Sequence, residues 1–144
     1  MNDRTILAVD DEAHILQVVS LKLRNAGFDV LTAKDGEEAL ELAAAHPIHL
    51  LITDFQMPGM SGLELAAKLH GEPGRRHMPI LLLTAHGLAL EQVETARAGI
   101  TIRLSKPFSP RELLETVQQL LQEQTSAAPL AEPPLSVGSA AGHS

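Results

Sequence analysis

The chain has 144 residues, a length that fits one domain with a core of its own. It has no cysteine and carries 11 basic against 18 acidic side chains, for a formal net charge of −7. That excludes disulfides and thiolate metal sites and disfavours bare electrostatic binding of nucleic acid. The N-terminus lacks a basic leader with an apolar stretch, and no apolar run approaches membrane-spanning length, so a soluble, cytoplasmic protein is expected.

Thr5–Val9 is a β-branched and apolar run that predicts a first strand, ending in Asp10-Asp11. Glu12–Ala26 has helical spacing, with Leu16, Val19, Leu23 and Ala26 on one stripe and Gly27 as a C′ residue. Phe28–Ala33 reads as the second strand. Asp35 caps the next helix with Glu38 at its third position; that helix carries Leu40, Ala43 and Ala44 and stops near Pro47. His49–Thr53 is the third strand and ends in Asp54. The turn Met57-Pro58-Gly59-Met60-Ser61-Gly62 follows, then a helix over Leu63–His70 and a polar loop over Gly71–His77.

Pro79–Leu83 is the fourth strand and leads into Thr84-Ala85. A weaker helix covers Leu88–Ala98, closed by Gly99, and Ile100–Leu104 is the fifth strand, with Ile100 and Ile102 read as core in preference to a partner-facing pair. Ser109-Pro110-Arg111-Glu112 is a strong helix start, with Ser at the cap, Pro at the first helical position and Glu at the third. The last helix carries Leu113, Leu114, Val117, Leu120 and Leu121.

Five strands alternating with five helices predict an α/β fold: a doubly wound, five-stranded parallel sheet with helices on both faces. The flavodoxin-like order 2-1-3-4-5 suits five strands. Strands one, three and four are almost wholly apolar, as central strands buried on both faces should be. Residues 1–124 form the domain; from Thr125 the chain turns to Ala, Pro, Ser and Gly, so 125–144 reads as a flexible tail or a truncated linker.

Strand ends in such a sheet converge on one edge, where these folds bind ligands. Asp10, Asp11 and Asp54 meet there, and three carboxylates repel one another unless a cation neutralises them. An aspartate oxygen that attacks a phosphoryl donor, with a hard divalent ion bridging the acids, uses such a cluster. Lys106 then pairs with a phosphoryl oxygen and Thr84 donates to another. Each signal alone has a plainer reading: an Asp pair also serves as helix cap and first-turn acid, Asp54 as a turn former, Thr84 as a cap, and Lys106-Pro107 as a loop. Their joint occurrence on four strand ends is the specific signal. His14, His46, His49, His70, His77, His86 and His143 share no ligand spacing.

Val9-Asp10-Asp11-Glu12, Asp54-Phe55-Gln56-Met57-Pro58-Gly59-Met60-Ser61-Gly62, Thr84-Ala85 and Lys106-Pro107-Phe108 together resemble the response-regulator receiver domain of two-component signalling, over about residues 4 to 123. The resemblance implies Asp54 as phosphoacceptor. It implies Mg²⁺ held by Asp11 directly, Asp10 through water, Asp54, and the backbone carbonyl of Gln56. Lys106 is the phosphoryl contact, Thr84 the switch hydroxyl, Ala85 a small residue that leaves the site open, and Lys106-Pro107 a cis peptide bond. Gln56 and His86 occupy the positions that tune the lifetime of the signal. The donor is a phosphohistidine on a sensor histidine kinase or a histidine phosphotransfer protein. The output is a protein–protein contact through the face formed by the helix over Leu88–Ala98, the fifth strand and the last helix, in a monomer or a phosphorylation-dependent homodimer.

The chain departs from the family at Arg103, where an aromatic switch residue is usual. It is a surface arginine, or it pairs with Glu91 or Glu94 in a way that phosphorylation changes. Thr101-Ile102 replace an acidic pair that supports one dimer mode. The expected role is a stand-alone signalling switch without enzymatic activity beyond its own phosphotransfer and dephosphorylation, acting without direct contact to nucleic acid or membrane. The alternative is the receiver part of a longer regulator or hybrid kinase. A Mg²⁺-dependent aspartyl-phosphate phosphatase needs a general acid two residues after its nucleophile, where Gln56 stands. A flavin module needs a phosphate loop where the acidic Asp10-Asp11-Glu12 run lies.

Overall fold

The computed structural model describes residues 4–85 and 97–130, with side chains as far as residue 122. Its elements are β1 (Thr5–Val9), α1 (Ala13–Asn25), β2 (Asp29–Ala33), α2 (Gly36–Ala45), β3 (Leu50–Asp54), α3 (Gly62–His70), β4 (Ile80–Thr84), β5 (Ile102–Ser105) and a final helix, here α4 (Pro110–Leu130). Most of the helix expected over Leu88–Ala98, with His86, Glu91 and Glu94, lies outside the described residues, as does His143.

The five strands form one sheet in the order β2-β1-β3-β4-β5, and every pairing is parallel. All the carboxyl ends therefore lie on one edge. Side chains alternate between the two faces. Ile6, Ala8, Leu50, Ile52, Leu81, Leu83 and Leu104 pack on one face against Val19 and Leu23 of α1 and Leu113, Val117 and Leu121 of α4. Leu7, Val9, Leu51 and Ile80 pack on the other against Ala39 and Ala43 of α2 and Leu65, Ala66 and Leu69 of α3. Burial on both faces is why the central strands show no polar alternation. Each such Leu or Ile contributes about 1.5–3 kcal/mol when fully buried, enough to hold charged strand ends in place.

Helix ends follow their local chemistry. Gly27 (φ 102°) closes α1: its N–H donates to Arg24 O at 3.0 Å and the Phe28 N–H to Leu23 O at 3.2 Å, a Schellman motif. Asp35 accepts from the Glu38 N–H at 2.8 Å, and Ser109 Oγ from the Glu112 N–H at 3.0 Å. Ser61 and Glu64 form a full capping box at α3.

Three expectations need correction. β5 begins at Ile102 rather than Ile100, because Thr101 closes the strand entry: its Oγ1 accepts from the Ile80 N–H at 2.9 Å. Ile102 shares the face of Leu104 but sits on an edge strand and stays 39% exposed, whereas Ile100 packs against the α2/α3 side of the core. Ala26, expected on the buried stripe of α1, is exposed at the C-cap. Apart from these three, the backbone of α4 runs to Leu130. No helix among the described residues is long and apolar enough to cross a membrane.

Candidate functional site

Three strand ends bring the acids together. Asp10 follows β1, and its N–H still belongs to the ladder, donating to Ala33 O at 3.1 Å. Its carboxylate is buried: Oδ1 accepts from the Glu12 N–H at 3.0 Å and Oδ2 from Lys106 Nζ at 3.1 Å. Asp54 ends β3, buried to 7% exposure, with Oδ1 3.1 Å from the same ammonium. Asp11 is exposed at the mouth. One oxygen from each of Asp10, Asp11 and Asp54 lies within 4.8 Å of the others, the only group among the described residues with metal-holding spacing. An all-oxygen donor set of this kind suits a hard cation.

Neither aspartate caps α1. The N-cap position belongs to Glu12, whose side chain makes no cap bond and reaches Lys106 Nζ at 3.1 Å instead. Lys106 follows β5, its N–H donating to Thr84 O at 2.7 Å, and the Lys106-Pro107 bond is cis. Asp11, Glu12, Asp54, Gln56, Ala85 and Lys106 line a cleft of about 370 Å³. Thr84, buried at the end of β4, lies beside it without lining it. Arg103 is exposed on β5 opposite Leu82, two pairs before Thr84–Ser105, so Arg103 and Thr84 fall on the same side of the sheet.

The electrostatics follow from burial. Loss of solvent pushes the Asp54 carboxyl above the usual carboxylate range; the hydrogen bond from Lys106 opposes this, and the charges of Asp10 and Asp11 add to it. Asp10 is raised by burial too, against the Glu12 N–H and Lys106. Burial alone pushes the Lys106 ammonium down, but Asp54, Glu12 and Asp10 together outweigh it and raise it.

Two site residues carried no assignment in the sequence. Glu12 reads only as a helix-start acid, and its contact with Lys106 spans 94 positions. Gly62 occupies the first residue of α3, where a Cβ would lie 2.1 Å from Asp54 O; its N–H donates to Phe55 O at 2.8 Å. A signal for it existed. Gly59 (φ 77°) already supplies the turn, so a second glycine opening a helix points to close backbone approach. An apolar groove of about 510 Å³, lined by Ile15, Val18, Ala85, Lys106, Pro107 and Phe108, adjoins the cleft and shares Ala85 and Lys106 with it.

A flavodoxin-like sheet in this strand order, with three carboxylates and a lysine on its carboxyl edge, defines a receiver-type α/β domain. The chain belongs to the response regulator receiver domain family, whose model matches residues 6–118. It is 36% identical over 130 residues to the alkaline phosphatase synthesis transcriptional regulatory protein PhoP of Bacillus subtilis, covering 90% of this chain and 53% of that protein. It is 33% identical over 138 residues to the phosphate regulon transcriptional regulatory protein PhoB of Pseudomonas aeruginosa, covering 96% and 59%. The chain thus spans about half the length of the curated relatives it matches. Among solved structures it superposes on the chemotaxis response regulator CheY4 of Vibrio cholerae with a TM-score of 0.77 at 38% identity, over 83% of this chain and 99% of that one. A putative response regulator from Chloroflexus aurantiacus gives a TM-score of 0.78 at 36% identity, over 84% and 99%.

Proposed function

We propose that this receiver domain accepts a phosphoryl group on Asp54 from a phosphohistidine. The observation that carries the reading is one ammonium, Lys106 Nζ, held 3.1 Å from both Asp10 and Asp54 at the mouth of the acidic cleft. An Asp54 oxygen attacks phosphorus, the P–N bond breaks as the P–O bond forms, and the imidazole leaves and takes a proton from water. Lys106 turns from Asp54 to a phosphoryl oxygen, and Thr84 offers its hydroxyl from the adjacent strand end. Attack of water on phosphorus later releases inorganic phosphate and restores the carboxylate.

Bound Mg²⁺ supplies the charge neutralisation that lets carboxylates and phosphoryl oxygens share the cleft. Asp11 and Asp54 would hold it directly by their side chains and Gln56 by its backbone carbonyl. Asp10 would act through water. Gln56 and His86 set the lifetime of the phosphorylated state, and Thr84 with Arg103 reports it to the surface. The donor is a sensor histidine kinase or histidine phosphotransfer protein, and the apolar groove beside the cleft offers it a dry footing. Output is a contact with a downstream protein, through a shift between two conformations of the face that includes β5 and α4. The module works in the cytoplasm, as a monomer or phosphorylation-dependent homodimer, with residues 1–124 as the domain and no enzymatic activity beyond its own phosphorylation cycle. A second reading, the receiver part of a longer regulator, is favoured by relatives of which the chain spans 53% and 59%.

Incubation with acetyl phosphate and Mg²⁺ followed by intact mass spectrometry tests the assignment. The wild-type chain gains one phosphoryl group and Asp54→Asn gains none; a substitution that leaves labelling intact overturns it.

A further inference from the structure

Lys106 has three carboxylate partners, and one of them stands outside the acidic cluster. Its Nζ lies 3.1 Å from Asp10 Oδ2, 3.1 Å from Glu12 Oε1 and 3.1 Å from Asp54 Oδ1. An ammonium has three N–H donors, so these acceptors use all of them. Asp10 and Asp54 belong to the group whose oxygens converge within 4.8 Å; Glu12 does not. When that group holds a divalent cation, ion and ammonium compete for the same two carboxylates and repel each other. Glu12 is the acceptor left over. Its N–H is tied to Asp10 Oδ1 at 3.0 Å, which fixes its position beside the cluster, while its side chain is 51% exposed and lines the rim.

We infer that Glu12 is a positioning residue acting through Lys106. It retains the ammonium as Asp10 and Asp54 turn toward a bound cation, and keeps it at the rim where phosphoryl oxygens arrive. The inference rests on the receiver chemistry proposed above and adds a residue to it. Because the displaced ammonium keeps a partner, the cation binds more tightly with Glu12 present than without it. Partly exposed ion pairs of this kind change an equilibrium by about threefold.

The test is a double-mutant cycle read by calorimetric titration of Mg²⁺ into the full chain: wild type, Glu12→Gln, Lys106→Ala and the double variant, with Lys106→Met as the background where Lys106→Ala does not fold. Thermal unfolding without metal checks each fold. Glu12→Gln should weaken Mg²⁺ binding about threefold in the native background and leave it essentially unchanged once Lys106 is gone. Equal weakening in both backgrounds means that Glu12 acts by its charge alone, and unchanged affinity in the native background means that it does nothing; either overturns the inference. A wild-type chain that binds no Mg²⁺ overturns it too. Acetyl phosphate labelling of the same samples separates the two failures: labelled Asp54 with no Glu12–Lys106 coupling sinks only the role of Glu12, while an unlabelled wild type sinks the receiver reading itself.

Discussion

The two ends of the sheet are built to opposite specifications. At the amino end the strand entries are closed by neutral, reciprocal hydrogen bonds. The Thr5 N–H donates to His49 Nδ1 at 3.0 Å and the His49 N–H returns to Thr5 O at 2.8 Å. The Ile80 N–H donates to Thr101 Oγ1 at 2.9 Å and the Thr101 N–H returns to Ile80 O at 2.8 Å. Each such bond contributes about 0.5–1.5 kcal/mol. At the carboxyl end the same strands deliver Asp10 and Asp54, buried carboxylates raised by desolvation and held by one shared lysine. The amino end stabilises the fold, and the carboxyl end keeps an unrelieved negative charge that a cation can relieve.

The pH dependence separates the two ends. Asp10 and Asp54 have folded-state pKa values above their unfolded ones, so the folded protein favours their protonated forms. Their favourable contribution is complete below the unfolded value, about 3.9, and is lost as pH rises through the raised folded value. Lys106 is also raised, so its contribution is complete below about 10.4 and is lost only above its folded value. At neutral pH the aspartates are therefore a cost and the lysine a gain.

The largest effect expected from breaking the carboxyl end comes from Gly62→Ala. A Cβ there would meet Asp54 O at 2.1 Å, against backbone that cannot step aside. A loss of about 2–3 kcal/mol in urea unfolding is expected, with impaired labelling of Asp54; an unperturbed variant would show that the loop has slack. At the amino end, Thr101→Val keeps the shape and removes the acceptor of the Ile80 N–H. It should cost about 1 kcal/mol while Asp54 is labelled at the wild-type rate, and slower labelling would mean that the two ends are coupled. Asp54→Asn removes a buried charge and should raise the melting temperature of the metal-free protein by a few degrees at pH 7. The gain should shrink toward pH 4, as the wild-type carboxyl takes up its proton; a gain that is flat with pH would contradict the electrostatic cost. Arg103→Ala, on an exposed edge position, should change stability by less than about 0.5 kcal/mol and leave acetyl phosphate labelling alone. A larger loss would mean that the guanidinium is built into the fold.

Much of this molecule was legible along the chain. Periodicity and caps located the strands and helices of the described residues, and apolar runs ending in Asp10-Asp11 and Asp54 located the acidic cluster. The misses share a cause. The two-residue shift of β5 depends on Thr101 meeting Ile80, and the exposure of Ile102 depends on which strand ends the sheet. Glu12 and Gly62 have roles only because Lys106 and the Asp54 carbonyl are beside them, 94 and eight positions away. Local pattern carries no information about such neighbours.

The sequence by itself determined the α/β alternation, the strand order and the edge on which the aspartates fall. Those follow from side-chain period and from the right-handed connections of parallel strands. Only the tertiary structure decided that a single ammonium answers to Asp10, Glu12 and Asp54 at once, and that Thr84 stays beside the cleft rather than in it. Such contacts depend on ångström-scale register between distant segments, which is set when the two apolar faces pack and not before.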